Sequence, residues 1–237
     1  MSSSPNDNLA VLIDADNAQA SPIHELLEEV SRYGTASVKR AYGDWSTPQL
    51  KKWKDELHTH AIKPVQQFSY TKGKNATDSA LIIDAMDLLH TGGLNGFCLV
   101  SSDSDFTPLA ARLREAGMVV YGFGERKTPQ PFVAACDKFI YTDILKPPKA
   151  KGSKRKAKAP TPEEPLRKAV DAAAQDDGWA NLGTVGSMLV KNNPSFDSRN
   201  YGFRKLIEMV KEQPYLEVRT EKAGQGSRGA AIFVRLK

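Results

Sequence analysis

Two aspartates one residue apart, Asp103 and Asp105, stand in the stretch Val100-Ser101-Ser102-Asp103-Ser104-Asp105-Phe106, directly after the apolar run Phe97-Cys98-Leu99. That order predicts a buried strand opening into a loop, with Pro108 in the first turn of the helix that follows. Like charges crowded at a strand end cost stability unless a cation neutralises them. The pattern recurs at Leu9-Ala10-Val11-Leu12-Ile13-Asp14, an apolar run that delivers an acid to the top of a sheet, with Asp16 and Asn17 just beyond. A third acid, Asp78, falls on the first turn of a helix predicted over 78–89, with Thr77 as its N-cap.

Asp14, Asp78 and Asp103 would therefore meet at one edge of a sheet. Hard oxygen ligands suit Mg²⁺ or Mn²⁺, which lowers the pKa of a bound water and stabilises charge developing on a phosphodiester. Asn17 could orient water or a phosphate without adding repulsion. Lys72 and Lys74, just ahead of Asp78, would meet substrate phosphates as point charges, and the hydroxyls of Ser101 and Ser102 precede the last acids as candidate RNA contacts. Local roles stay open for several of these. Ser104 and Asp105 could cap a helix and Asp78 could serve only the helix dipole; Asp16 is a further candidate metal ligand and Asp105 a further catalytic candidate, though either could face outward or support the ligands from behind. Asp84 and Asp87, deeper in the helix, are expected to be structural.

The elements that must position these residues alternate. After the first strand, Ser21-Pro22 opens a helix to Tyr33, followed by a strand over 35–42, a helix from Thr47-Pro48 to Glu56 and a strand over 61–68. A polar, cationic loop over 69–77 leads to the Asp78 helix. Strand 96–100, helix 107–116, strand 118–123, helix 129–135 and a strand over 139–142 complete the series. Such alternation predicts a mostly parallel, helix-covered sheet, whose ligands bind beyond the carboxyl ends of the strands. Past residue 162 the texture changes to helices over 163–176, 184–191 and 198–211. Two strands, 218–220 and 230–235, follow around a Gly-rich turn, and the whole is a winged-helix pattern.

The net charge of +5 is unevenly placed. Residues 1–146 carry 15 Lys and Arg against 18 Asp and Glu; residues 147–162 carry six against none; residues 163–237 carry 12 against 10. The excess lies in a Pro- and Lys-rich linker, which is expected to stay unfolded and to attract polyanions. Cys98 and Cys136 lack CxxC spacing and nearby histidines, which predicts reduced core thiols and argues against zinc or a disulfide. The four scattered histidines argue against a histidine metal site. No stretch approaches a membrane span and the start lacks a signal-peptide pattern, so a soluble, cytoplasmic protein with no membrane association is expected.

Leu12-Ile13-Asp14-Ala15-Asp16-Asn17, then Lys74-Asn75-Ala76-Thr77-Asp78, then Ser101-Ser102-Asp103-Ser104-Asp105-Phe106 with Pro108, resembles the NYN domains, PIN-like ribonucleases of the LabA-like branch. The likeness spans about residues 7–145. It implies that Asp14, Asn17, Asp78 and Asp103 surround a divalent metal, with metal-dependent cleavage of RNA. Ser102 stands where many relatives have Gly, which leaves the acids untouched. Residues 163–237 resemble an OST-HTH/LOTUS domain through Ser195-Phe196, Tyr201-Gly202-Phe203-Arg204-Lys205-Leu206-Ile207 and the strand after Arg228-Gly229. That resemblance implies RNA binding, including single-stranded or G-rich structured RNA, and allows a protein partner or a homo-oligomer. Arg199, Arg204, Lys205, Lys222 and Arg228 are the candidate phosphate contacts, while Tyr201 and Phe203 are expected to pack the third helix.

The organisation expected is a nuclease-like domain over 1–146, a linker over 147–162 and a winged helix over 163–237, with the linker long enough for independent motion. The leading function is a metal-dependent endoribonuclease whose basic parts bring RNA to an acidic site. A catalytically inactive RNA-binding adaptor is the alternative. A haloacid-dehalogenase-type phosphatase fits less well because Ala18 stands where Thr or Val is wanted, and no Gly-rich strand end with a catalytic Glu supports a Toprim domain.

Overall fold

The computed structural model describes residues 7–68, 76–145, 162–222 and 230–237, with only the backbone described at Lys222 and Ala230. The chain divides into two compact units, Met1–Pro148 and Lys149–Lys237.

The first unit is a three-layer α/β domain around six strands: β1 (Asn8–Asp14), β2 (Thr35–Gly43), β3 (Lys63–Gln66), β4 (Gly96–Val100), β5 (Val119–Gly124) and β6 (Lys138–Tyr141). Every pairing is parallel, in the order β3-β2-β1-β4-β5-β6. The direction of winding reverses between β1 and β4, so a crevice opens above that pair. The helices are α1 (Ile23–Val30), α2 (Trp53–Thr59), α3 (Ala76–Thr91), α4 (Thr107–Glu115) and α5 (Gln130–Ala135).

Strand periodicity sorts the core. Leu9, Val11 and Ile13 of β1 pack with Ile23, Leu26 and Trp53 on one face, while Ala10 and Leu12 pack with Leu81, Phe97, Leu99 and Leu109 on the other. By the same alternation Asp14 and Ser101 belong to the second face, the one covered by α3 and α4. On that face Asp84 of α3 accepts hydrogen bonds from Arg40 and from the Tyr42 hydroxyl of β2. The structural role expected of Asp84 is thus a tie between the helix and the sheet. Cys98 and Cys136 are buried and unbridged, and burial pushes the Cys136 thiol up to about 12.

The second unit holds α6 (Glu163–Ala173), β7 (Ala180–Asn181), α7 (Leu182–Asn192), α8 (Leu206–Lys211), β8 (Leu216–Lys222) and β9 (Ala230–Leu236). The three strands form an antiparallel sheet in the order β7-β9-β8. Leu166, Val170, Val185, Leu189, Met209 and Val234 fill its core. Tyr201 and Phe203 pack against that core as expected.

Several elements differ from expectation. The helix expected over 198–211 is a 3₁₀ turn, Ser198–Tyr201, separated from α8 by Gly202 at φ 88°, a left-handed conformation that interrupts a helix and that glycine adopts at little cost. The Thr47-Pro48 segment likewise begins as a 3₁₀ turn, Pro48–Lys52, before α2. β7 was unexpected, since two residues show no periodicity and are a strand only through pairing with β9. Thr77 is the second residue of α3 rather than its cap.

Candidate active site

Asp14 ends β1 and is fully buried. The turn after the strand folds back on it: the Asn17 backbone N–H donates to Oδ1 at 3.3 Å and the Asn17 amide donates to Oδ2 at 3.0 Å. Just past the end of β4, the Ser101 hydroxyl donates to the same Oδ2 at 2.7 Å. Burial raises the Asp14 pKa above the usual carboxylate range, against the lowering effect of these bonds to Ser101 and Asn17. The Ser101 oxygen also accepts the Asp103 backbone N–H at 3.0 Å, and Asp103 in turn accepts the Asp105 N–H at 2.9 Å. One chain of hydrogen bonds thus links the ends of β1 and β4 across the crevice.

Asp103 caps the 3₁₀ turn Ser104–Phe106 that leads into α4. The local capping role is therefore real, and it falls on Asp103 rather than on Ser104 or Asp105. Capping uses one carboxylate oxygen and leaves the other free for a second partner.

Asp78, in the first turn of α3, is buried and accepts no hydrogen bond from a described side chain or backbone group. Its pKa is raised to about 6, first by burial and then by the charges of Asp14, Asp103, Asp105 and Asp16. One oxygen from each of Asp78, Asp103 and Asp105 lies within 4.8 Å of the others. This trio contains Asp105 where the sequence reading set Asp14 beside Asp78 and Asp103. Asp14 and Asp16 stand around it. Asp16 is exposed, accepts the Thr77 hydroxyl at 2.9 Å and lies 3.4 Å from the Asp44 backbone nitrogen.

A hard divalent cation fits this donor set. Three carboxylates converge, and the most buried of them, Asp78, accepts no hydrogen bond among the described residues that would offset its desolvation.

The sequence reading missed two contacts. Thr77 tethers Asp16 to α3, and Ser101 couples Asp14 to the Asp103 loop. Ser101, a candidate RNA contact from the sequence, is buried and its hydroxyl donates to Asp14. The Ser102 oxygen accepts the Glu125 N–H at 2.8 Å and stays half-buried. Lys72, Lys74 and Arg228 lie outside the described residues, as does the Lys222 side chain.

In the second unit the Arg199 guanidinium donates to Asp197 through bonds of 2.9 and 2.7 Å. Arg204 and Lys205 are exposed. Arg219 and Arg235 stack on Trp179 at 4.4 and 4.6 Å, a cluster that only the pairing of β7 with β9 assembles. No helix among the described residues is long and apolar enough to cross a membrane.

The NYN domain family matches residues 8–145 and the OST-HTH/LOTUS domain family matches residues 158–228. Among solved structures the chain is similar to a protein of unknown function from Vibrio parahaemolyticus, at 18% identity over 60% of this chain and 96% of that one, with a TM-score of 0.49. It is similar to an uncharacterized protein from Nitrosomonas europaea at 33% identity, over 39% and 92% of the two chains, with a TM-score of 0.30. A protein from Chromobacterium violaceum is 42% identical over 30% and 75%, with a TM-score of 0.26. A search of the curated proteins finds no match. With more than half of its length matched and the acidic crevice in place, the chain belongs to the NYN domain family, joined to an OST-HTH/LOTUS domain as a ribonuclease-like protein of RNA-binding type.

Proposed function

We propose that this protein is an Mg²⁺- or Mn²⁺-dependent endoribonuclease that cleaves RNA phosphodiesters at the β1/β4 crevice, with its C-terminal unit and basic linker holding the RNA. The observation that carries the reading is the convergence of Asp78, Asp103 and Asp105 on one point beside the buried Asp14. A divalent ion bound there would activate a water and offset charge on the scissile phosphate. The residues have separable tasks. Asp78, Asp103 and Asp105 would hold the ion, while Asp14 would keep the field negative behind them. Asn17 and Ser101 fix the Asp14 carboxylate, and Asp16, steadied by Thr77, faces solvent where substrate enters.

A crevice with five aspartates repels a polyanion, so affinity must come from elsewhere in the chain. Six Lys and Arg in the linker, Lys72 and Lys74 ahead of α3, and the exposed Arg204 and Lys205 are among the cations that could supply it. The deciding experiment is cleavage of labelled single-stranded and G-rich structured RNAs with Mn²⁺ or Mg²⁺, comparing the intact protein with Asp103→Asn. Metal-dependent cleavage that falls at least about 100-fold in the variant supports the reading, a loss of the size expected for a group stabilising transition-state charge. Equal cleavage by both proteins, or RNA binding with no cleavage by either, sinks it.

A further inference from the structure

We propose that the groove between the start of α7, the start of α8 and β9 binds an unstacked nucleobase of an RNA strand, with Lys205 at its rim taking the neighbouring phosphate. The proposal rests on the reading of the chain as RNA-binding and names the surface that would do it. The groove has a volume of 470 Å³, within the roughly 300–1,000 Å³ typical of small-ligand sites. Leu182, Leu206 and Ile232 give it an apolar lining, and Gly183 and Gly186 leave the α7 wall without side chains. A Cβ at Gly186 would come within 3.1 Å of Leu206 Cδ2, so a side chain there would crowd Leu206 as well as fill the groove. Asn181 adds polarity: its Oδ1 accepts the Gly183 N–H at 2.9 Å, which leaves the amide nitrogen as a donor for a base edge.

Charge selects the occupant. Arg167, Lys168, Arg199, Arg219 and Arg235 are each paired with an acid of the same unit. Arg204 and Lys205 form no ion pair among the described residues. Among the described residues Lys205 is the one charged residue lining the groove, and no carboxylate lines it. One cation beside a neutral, apolar recess matches one phosphate and one uncharged planar base. An acidic peptide would instead need a cation for each carboxylate it buried.

The test uses the full chain in EDTA, with fluorescence anisotropy of a labelled single-stranded RNA of about eight nucleotides and of an abasic oligomer of equal charge. Wild type should bind the abasic oligomer about ten-fold more weakly, in line with the stacking energy of a base. Ala231→Trp, which fills the groove, should lose the same factor on normal RNA, keep its salt dependence and no longer distinguish the two oligomers. Lys205→Ala should bind several-fold more weakly with a salt slope lower by about one. Unchanged RNA affinity in both variants would overturn the groove, leaving it to a protein partner, while RNA binding by wild type still stood. A reduced slope in Lys205→Ala with no loss in Ala231→Trp would overturn it too. Wild type that binds no RNA would remove the parent reading as well.

Discussion

Asp78 is a carboxylate whose folded environment favours its proton. Its pKa of about 6 in the native protein, against an ordinary 3.8, means that the folded state binds more protons than the unfolded state between those values. Stability contributed by Asp78 is therefore full at low pH and is lost as pH rises through about 6. Asp78→Asn should stabilise the metal-free protein by about 1–2 kcal/mol at pH 7.5, and by less at pH 4.5. Urea unfolding in EDTA at the two pH values checks this, and a gain that is the same at both would contradict it. Ser101→Ala has the opposite sign. It strips the shortest of the bonds that hold the buried Asp14 carboxylate and should cost about 1–3 kcal/mol near neutral pH. Because the lost bond favours the charged carboxylate, the cost should shrink as Asp14 protonates, which the same denaturation series measures.

At the scale of elements, the site depends on how α3 is seated. Asp84, within two turns of Asp78, is clamped by Arg40 and Tyr42 of β2. Asp84→Ala leaves a guanidinium and a phenol without their acceptor and should destabilise the protein by about 1–3 kcal/mol. It should also weaken Mn²⁺ binding, measured by calorimetry, because the start of α3 is then less firmly placed. Normal metal affinity in a destabilised Asp84→Ala would show that α3 is held by its apolar face alone. Long periodic segments were legible before folding was considered: β1 and β4 announce themselves by unbroken apolar runs, and α3 by the spacing of Leu81, Ile82, Ala85 and Leu88. Elements that need a partner were not legible. The break at Gly202 depends on a left-handed residue inside an otherwise helical pattern, and β7 exists only beside β9.

For the molecule as a whole, charge separates two jobs. The acidic first unit carries the converging carboxylates of Asp78, Asp103 and Asp105, while the surplus of Lys and Arg lies in residues 147–162. Replacing those six cations with Ser should weaken RNA binding steeply at low salt and flatten the dependence of log K on log salt, each lost phosphate contact reducing the slope by about 0.7 for a single strand. Melting temperature should not move. Anisotropy titrations at two or more salt concentrations, alongside a thermal melt, check both; an unchanged slope would place the RNA contacts outside residues 147–162.

By itself the sequence determined the α/β character, the ordered acids Asp14, Asp78 and Asp103, the burial of both cysteines and the winged-helix pattern of the second unit. These follow from local causes, since apolar runs and periodicities make elements regardless of what they later touch. Only the tertiary structure decided that Asp105 joins Asp78 and Asp103, that Ser101 donates to Asp14 and Thr77 to Asp16, and that Arg199 pairs with Asp197. The period-2 alternation of a strand assigns Asp14 and Ser101 to one face of the sheet, but which helices cover that face is settled by packing among segments distant in sequence. A carboxylate's role depends on those neighbours, because burial and hydrogen-bond donors come from the fold and not from the residues beside it in the chain.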